Sequence, residues 1–244
     1  MPTTVYLIRH GETDANRARR VQGRGLDLPL NATGAAQADR LGDRFEGVPL
    51  GALHASPLTR ARQTAGAIAV RHGLPVRTDA DLEEIGWGVL EGRDATEATN
   101  EAFAGLYRAW DAGDFDARLD GGESVREVQT RVLAAWHHIV GTGENTAVDT
   151  DPDADRHIVV VSHGRTIRVL LATLLRADVP EALAHMHDYQ HANTSVNVLD
   201  VDADGRVRPA RLNCTAHLPR ALRTIPPTTG GAGSFDRAAA EVRP

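Results

Sequence analysis

Two short runs constrain this chain more than any other feature. Val5-Tyr6-Leu7-Ile8 and Ile158-Val159-Val160-Val161 are rich in β-branched residues and show no polar alternation. A strand of that kind is buried on both faces, as in a parallel sheet covered by helices. Further strands are expected at 52–55 and 76–78. An alternating run at 195–201, then Asp204-Gly205 and 207–212, reads as a hairpin near one sheet edge. Helical patterns fall between the strands, at 33–45, 57–72, 96–112, 124–140 and 166–175. Thr33 is expected to cap the first, and Ser124 with Glu127 forms a capping box at the fourth. Such alternation of strand and helix implies an α/β layer fold with right-handed crossovers.

The chain has 244 residues, and one domain accounts for its pattern, over 1–218 with an insertion at about 93–123. An acidic, Gly/Pro-marked loop is expected at 141–156, clear of any site, and a flexible Pro/Gly-rich tail at 219–244. Lys plus Arg total 27 against 33 Asp plus Glu, a net charge of −6, which argues against a non-specific nucleic-acid binder. The single cysteine, Cys214, excludes a disulfide framework and reads as a packing residue. The N-terminal apolar run is short and ends at Arg9, unlike a signal peptide. No stretch approaches the roughly 18 apolar residues of a membrane span. A soluble cytoplasmic protein with no membrane partner is expected.

What ends the two buried strands is the functional clue. The first runs into Arg9-His10-Gly11, the second into Ser162-His163-Gly164-Arg165. Ligands of open parallel sheets bind beyond the carboxyl ends of the strands. If the strands are neighbours, His10 and His163 share one crevice. Gly11 and Gly164 then allow tight turns and close approach of a ligand. One histidine at a strand end is most simply a half-buried imidazole; two matched His-Gly pairs are not. Arg60, in the first turn of a predicted helix, sits badly against the helix dipole unless an anion lies between them. A surface pair with a carboxylate accounts for Arg60 equally well when it is taken alone, and is the plainer account of Arg62, which faces elsewhere.

Taken together, RHGETDAN (9–16), VQG (21–23), SPLTRARQTA (56–65), LEEIGWGVLEG (82–92), GGES (121–124) and VSHG (161–164) resemble the histidine phosphatase superfamily. The resemblance is to its phosphoglycerate-mutase-like branch, which includes broad-specificity and α-ribazole phosphatases. It implies a three-layer α/β/α sandwich with a mostly parallel central sheet. It also implies His10 as the phosphoryl-accepting nucleophile, with Arg9, Arg60 and His163 clamping the phosphate oxygens. Glu84, rather than Glu83, matches the proton donor, and Glu91 a structural position. Asn16, Gln22 and Gly23, with Gly164, match substrate-contacting positions.

The chemistry of the residues agrees. A neutral imidazole can attack phosphorus, and Arg9 beside His10 disfavours the protonated ring. Phosphoryl transfer needs positioning and charge neutralisation, which two guanidiniums and His163 could supply without a metal or cofactor. The expected substrate is a small phosphate monoester, and the resemblance extends to a homodimer. The stretch 22–30 is one residue longer than the family's usual form. The region 93–120 lacks the paired arginines with which mutases hold a second phosphate, so a phosphatase is favoured over a 2,3-bisphosphoglycerate-dependent mutase. His185-x-His187-Asp188 with His191 could ligate a metal, though a helix end and loop lining the pocket is the simpler account. Glu83 reads as a solvated acidic turn.

Overall fold

The computed structural model describes residues 3–141, 156–177 and 181–224. Its centre is a six-stranded sheet of β1 (Thr3–Arg9), β2 (Leu50–Ala55), β3 (Val76–Thr78), β4 (Arg156–Ser162), β5 (Val196–Val201) and β6 (Val207–Cys214), in the order β3-β2-β4-β1-β5-β6. The first four in that order run parallel; β5 and β6 pair antiparallel at one edge, where the hairpin was expected.

The two apolar runs are adjacent central strands, and both of their faces are buried. Val5, Leu7, Ile158 and Val160 point into one core with residues of α5 (Val125–Gly141) and α6 (Gly164–Leu175), among them Val132, Ile139 and Leu170. Ile8, Val159 and Val161 point into a second core with α2 (Ala32–Phe45) and α3 (Thr59–His72), including Leu41, Phe45 and Ile68. A period of two along each strand thus feeds two helical layers, and the sandwich has three layers. A further helix, α4 (Glu97–Asp111), and the rings of Trp87, Phe103, Tyr107 and Trp110 continue the first core. Among the described residues, no helix is long and apolar enough to cross a membrane.

Local starts differ from expectation in instructive ways. Helix α2 is capped by Asn31, not Thr33: Asn31 Oδ1 accepts from Gly34 N at 2.9 Å. Asn31 Nδ2 also donates to Glu12 Oε1 at 2.8 Å, tying the cap to the turn after His10. Helix α3 begins at Thr59 rather than Pro57. Its cap residue, Leu58, has no capping side chain, and Asp27 from the 22–30 stretch accepts from Thr59 N and Oγ1 at 2.8 Å each. Helix α6 starts at Gly164, two residues early, so β4 passes into it through His163 alone. A five-residue helix, α1 (Asp14–Ala18), was not anticipated; Thr13 and Asn16 cap it reciprocally. The Ser124–Glu127 capping box of α5 forms as expected.

The chain also stays docked past 218. Gln37 Nε2 donates to Leu222 O at 2.8 Å, and Thr224 Oγ1 to Asn193 Oδ1 at 3.1 Å. Residues 219–224, the start of the tail expected to be flexible, carry these contacts; the rest of that tail, and the loop 142–155, lie outside the described residues. Cys214 is a buried packing residue contacted by Arg44 Nη1 at 3.3 Å.

Gly34 in α2 holds the turn after His10 in place. A Cβ there would lie 2.1 Å from Glu12 O, and one on Gly11 would lie 2.7 Å from Gly34 O. Backbone packs directly on backbone. Gly34→Ala is therefore expected to lower the denaturation midpoint by the equivalent of about 1–3 kcal/mol, the usual cost of overpacking. Gly66→Ala in α3, where nothing lies within 4 Å, is expected to be neutral or to stabilise by up to about 1 kcal/mol. Equal shifts in the two urea titrations would remove this account.

Candidate active site

The register of β1 and β4 builds the site. Arg9 pairs with Ser162, so the next residues, His10 and His163, leave the sheet side by side. Their ring centroids are 5.1 Å apart with planes at 56°. His10 N donates to Ser162 O at 3.0 Å, and Asn193 Nδ2 to His10 O at 3.0 Å. On the ring, His10 Nδ1 lies 2.7 Å from Gly11 O. A carbonyl only accepts, so Nδ1 carries the proton and Nε2 keeps its lone pair. Burial pushes the His10 imidazole well below its ordinary value of 6.5; the cations Arg60 and then Arg9 push the same way. The effect expected of Arg9 is present, but third in size.

His163 is fully buried and its ring nitrogens are both engaged. Nδ1 accepts from Arg60 Nε at 3.2 Å, so Nε2 donates to Ser56 Oγ at 2.8 Å. Burial, then Arg60, likewise lowers its pKa well below 6.5. Arg60 has no exposed surface. Its guanidinium donates to Leu26 O at 3.1 Å and Gly23 O at 3.2 Å, and Asp27 Oδ1 lies 3.8 Å away. Burial lowers Arg60 to about 10, so it is still a cation near neutrality. Arg9 Nη1 donates to His191 O at 2.7 Å, while its buried Nε has no protein partner.

Glu84 sits across from this group on the first turn of α6. Its carboxylate accepts from Arg165 N and Thr166 N at 3.1 Å each, and from Ile85 N at 3.0 Å. Free N–H groups at a helix start favour an anion in that place. The backbone leading to it is pinned: Arg131 Nη1 donates to Asp81 O and Glu83 O, and Ser162 Oγ to Leu82 O. Glu83 is not a free acidic turn, since its carboxylate pairs with Arg24 Nη2 at 2.8 Å. Glu91 Oε1 accepts from Trp87 N at 2.9 Å, a structural contact.

A cavity of about 1030 Å³ opens over the carboxyl end of the sheet. Arg9, His10, Asn16, Gln22, Glu84 and Gly164 line it; Arg60, His163 and Gly23 do not. Arg60 and His163 stand beside His10 with their polar atoms turned to protein partners. Gly23, expected as a substrate contact, is not among the lining residues. It packs behind the wall, where a Cβ would lie 2.3 Å from Glu91 Oε1. Asn16 Oδ1 accepts from Asn193 Nδ2 at 3.2 Å, and Gln22 Oε1 from Thr13 Oγ1 at 2.8 Å. The 93–123 insertion does cover the site, since α4 supplies Asn100, Phe103 and Tyr107 to the lining. Two of its arginines are engaged by carboxylates: Arg108 pairs with Glu101, at the cavity, at 2.8 Å and Arg118 with Glu127 at 2.6 Å.

The sequence reading missed Arg165 and Arg168, which both line the cavity. The signal was available, because Arg165 stands in the first turn of a helix as Arg60 does. The histidines of 185–191 scatter instead of converging. His185 Nδ1 faces Asp188 at 3.4 Å, the His187 ring meets Tyr107 edge-on, and His191 is buried behind Arg9. Among the described residues, no group of three or more His, Cys, Asp or Glu could hold a metal ion.

Burying several neutral imidazoles gives stability a pH dependence. His10, His163 and His191 are all lowered well below 6.5, first by burial, and His187 and His217 to about 4. Below 6.5 the unfolded chain takes up protons that the folded one refuses. Stability is thus complete above about pH 6.5 and is lost progressively as pH falls toward the folded values. Each fully buried ring contributes a slope of up to about 1.4 kcal/mol per pH unit. Thermal melting midpoints are expected to drop between about pH 7 and pH 5; a flat profile would contradict these protonation states.

Comparison with known proteins agrees with the geometry. The sequence model of the histidine phosphatase superfamily (branch 1) matches residues 5–215. A probable phosphoglycerate mutase GpmB of Salmonella choleraesuis is 37% identical over 171 residues, 70% of this chain and 74% of that protein. A mycobacterial glucosyl-3-phosphoglycerate phosphatase superposes with TM-score 0.73 at 29% identity, covering 88% of this chain and all of the other. The α-ribazole phosphatase of Shigella flexneri gives 0.70 at 25% identity over 87% and 96% of the two chains. With the sheet order, the juxtaposed His-Gly turns and this match over most of its length, the chain belongs to the histidine phosphatase superfamily.

Proposed function

We propose that this chain hydrolyses small-molecule phosphate monoesters through a phosphohistidine on His10. The observation that carries the reading is the tautomer: Nδ1 is held by Gly11 O, which leaves a neutral Nε2 at the cavity wall. In the first step, with the Glu84 carboxyl protonated beside the anionic phosphate, Nε2 bonds to phosphorus as the ester P–O bond breaks, and the leaving oxygen takes that proton. In the second, water attacks phosphorus, Glu84 recovers a proton from it, and the P–N bond breaks to release inorganic phosphate. Positive charge from Arg9 and Arg60 favours the equatorial oxygens through both steps.

The phosphatase reading is supported over a mutase by the pairing of Arg108 and Arg118, in α4 and after it, with Glu101 and Glu127. The relatives divide between the two activities in their names. A coupled assay of 3-phosphoglycerate isomerisation with added 2,3-bisphosphoglycerate distinguishes them.

His10→Ala is expected to abolish p-nitrophenyl phosphate turnover, and retained phosphate release would remove the nucleophile assignment. Because His10 of the free protein stays neutral well below 6.5, kcat/KM, corrected for ionisation of the substrate's own phosphate, is expected to show no loss from an imidazole titrating near 6.5. Glu84→Gln is expected to slow an alkyl phosphate by about 10²–10⁴-fold, the usual worth of general acid catalysis. It should slow p-nitrophenyl phosphate less in the phosphorylation step, since that leaving group departs as a stable anion. Equal losses would mean that Glu84 does not carry the leaving-group proton.

A further inference from the structure

The turn that precedes β5 grips the backbone of the nucleophile. Thr194 N donates to Arg9 O at 3.0 Å and to His10 O at 3.3 Å, and Arg9 N donates to Ser195 O at 3.3 Å. Thr194 reaches this place with φ of 54°, a left-handed conformation that β-branched residues rarely adopt. Its neighbour Asn193 is 3% exposed and is not among the residues that line the cavity. The amide nitrogen of Asn193 nevertheless donates twice toward the site, to His10 O at 3.0 Å and to Asn16 Oδ1 at 3.2 Å. One NH2 group thus spans the nucleophile and a residue of the cavity wall.

An amide side chain can be turned over, which exchanges its donor and acceptor ends, and its partners decide which way it stands. Here the direction is set from backbone N–H groups, which cannot turn over. Glu12 N donates to Gln37 Oε1 at 2.8 Å, so Gln37 Nε2 is the end that reaches Thr224 Oγ1, at 3.3 Å. The Thr224 hydroxyl accepts there and donates to Asn193 Oδ1 at 3.1 Å. That turns Asn193 Nδ2 toward His10 O, a carbonyl that only accepts. Asn16 is fixed independently, since its Oδ1 also accepts from Thr13 N at 3.2 Å. With two donors on its oxygen, Asn16 has its NH2 end left for the cavity it lines. Gln37 is fully buried and Glu12 is 8% exposed, so the bonds of this chain reinforce one another with little competition from water.

We propose that Asn193 is a positioning residue for phosphate recognition: it holds His10 and Asn16 in one frame, so that the Asn16 NH2 donates to an oxygen of the phosphate at His10. Thr224 contributes from outside the cavity by orienting Asn193. The inference deepens the phosphatase reading and rests on it for the place of that phosphate.

Calorimetry of the full chain with inorganic phosphate tests this without turnover. Asn193→Ala is expected to weaken phosphate binding about tenfold where Asn16 is present and about threefold or less in Asn16→Ala, the coupling usual for groups that act through one another. A residue that only stabilised the fold would cost the same factor in both backgrounds, so equal losses overturn the assignment. If Asn193→Ala fails to fold, as a melting curve would show, Thr224→Val decides. It deletes the hydroxyl from the same hydrogen bonds at nearly constant volume. Binding is expected to weaken about threefold or more with Asn16 present, the worth of one hydrogen bond, and not to change in Asn16→Ala. Thr224→Ser, which keeps the hydroxyl, is expected to retain the affinity. Unchanged binding in Thr224→Val, or a loss that persists in Asn16→Ala, then overturns the assignment. Failure of the phosphatase reading shows separately, as p-nitrophenyl phosphate turnover that persists in His10→Ala or as no phosphate binding to the unaltered chain.

Discussion

The structure depends on one strand pairing. Because Arg9 lies opposite Ser162, two imidazoles more than 150 positions apart are set 5.1 Å from each other at the carboxyl end of the sheet. A slip of one residue would turn every side chain of β1 to the opposite face, sending Val5 and Leu7 into the α2–α3 layer. Both faces are apolar here, so composition alone does not forbid the slip. What fixes the register is the volume of each core and the turn beyond it, where Gly11 and Gly34 allow backbone to meet backbone.

That pairing is followed by a concentration of cations that are largely buried. Arg60 is wholly buried, and Arg9 and Arg165 each bury one guanidinium nitrogen that has no protein partner. Buried charges of one sign are tolerated where other groups meet their needs. Backbone carbonyls of Leu26, Gly23 and His191 serve Arg60 and Arg9, and three aromatic rings serve Arg165. Burial first, and then Arg60 and Arg9, keep His10 and His163 neutral. Structure and proposed chemistry thus share a cause: the field that would attract an anionic phosphate also prepares the nucleophile that attacks it.

Helix α6 has several roles in one turn. Its first N–H groups hold the Glu84 carboxylate, its cap residue is His163, and its first two turns carry Arg165 and Arg168. The strand-to-helix passage without a loop makes this possible, since no intervening residues separate the sheet's end from the helix start.

Much of the fold was legible in the sequence. Strands buried on both faces announce themselves by unbroken β-branched runs, and the helices between them by apolar spacing, so the layers could be stated before any coordinates. His10, His163, Arg9, Arg60 and Glu84 were legible from their places in motifs. Helix starts were less so: Asn31 rather than Thr33 caps α2, and α3 borrows Asp27 from 32 positions away. The family resemblance makes Gly23 a substrate-contacting position, and in the structure it packs against Glu91. The sequence by itself determined which strands are buried and which residues end them, because burial and turn chemistry are local and periodic. Only the tertiary structure decided which guanidiniums are spoken for by the protein and which are not. A hydrogen-bond partner is chosen by proximity in space, and Arg60, Arg165 and Arg168 are alike until their neighbours are known.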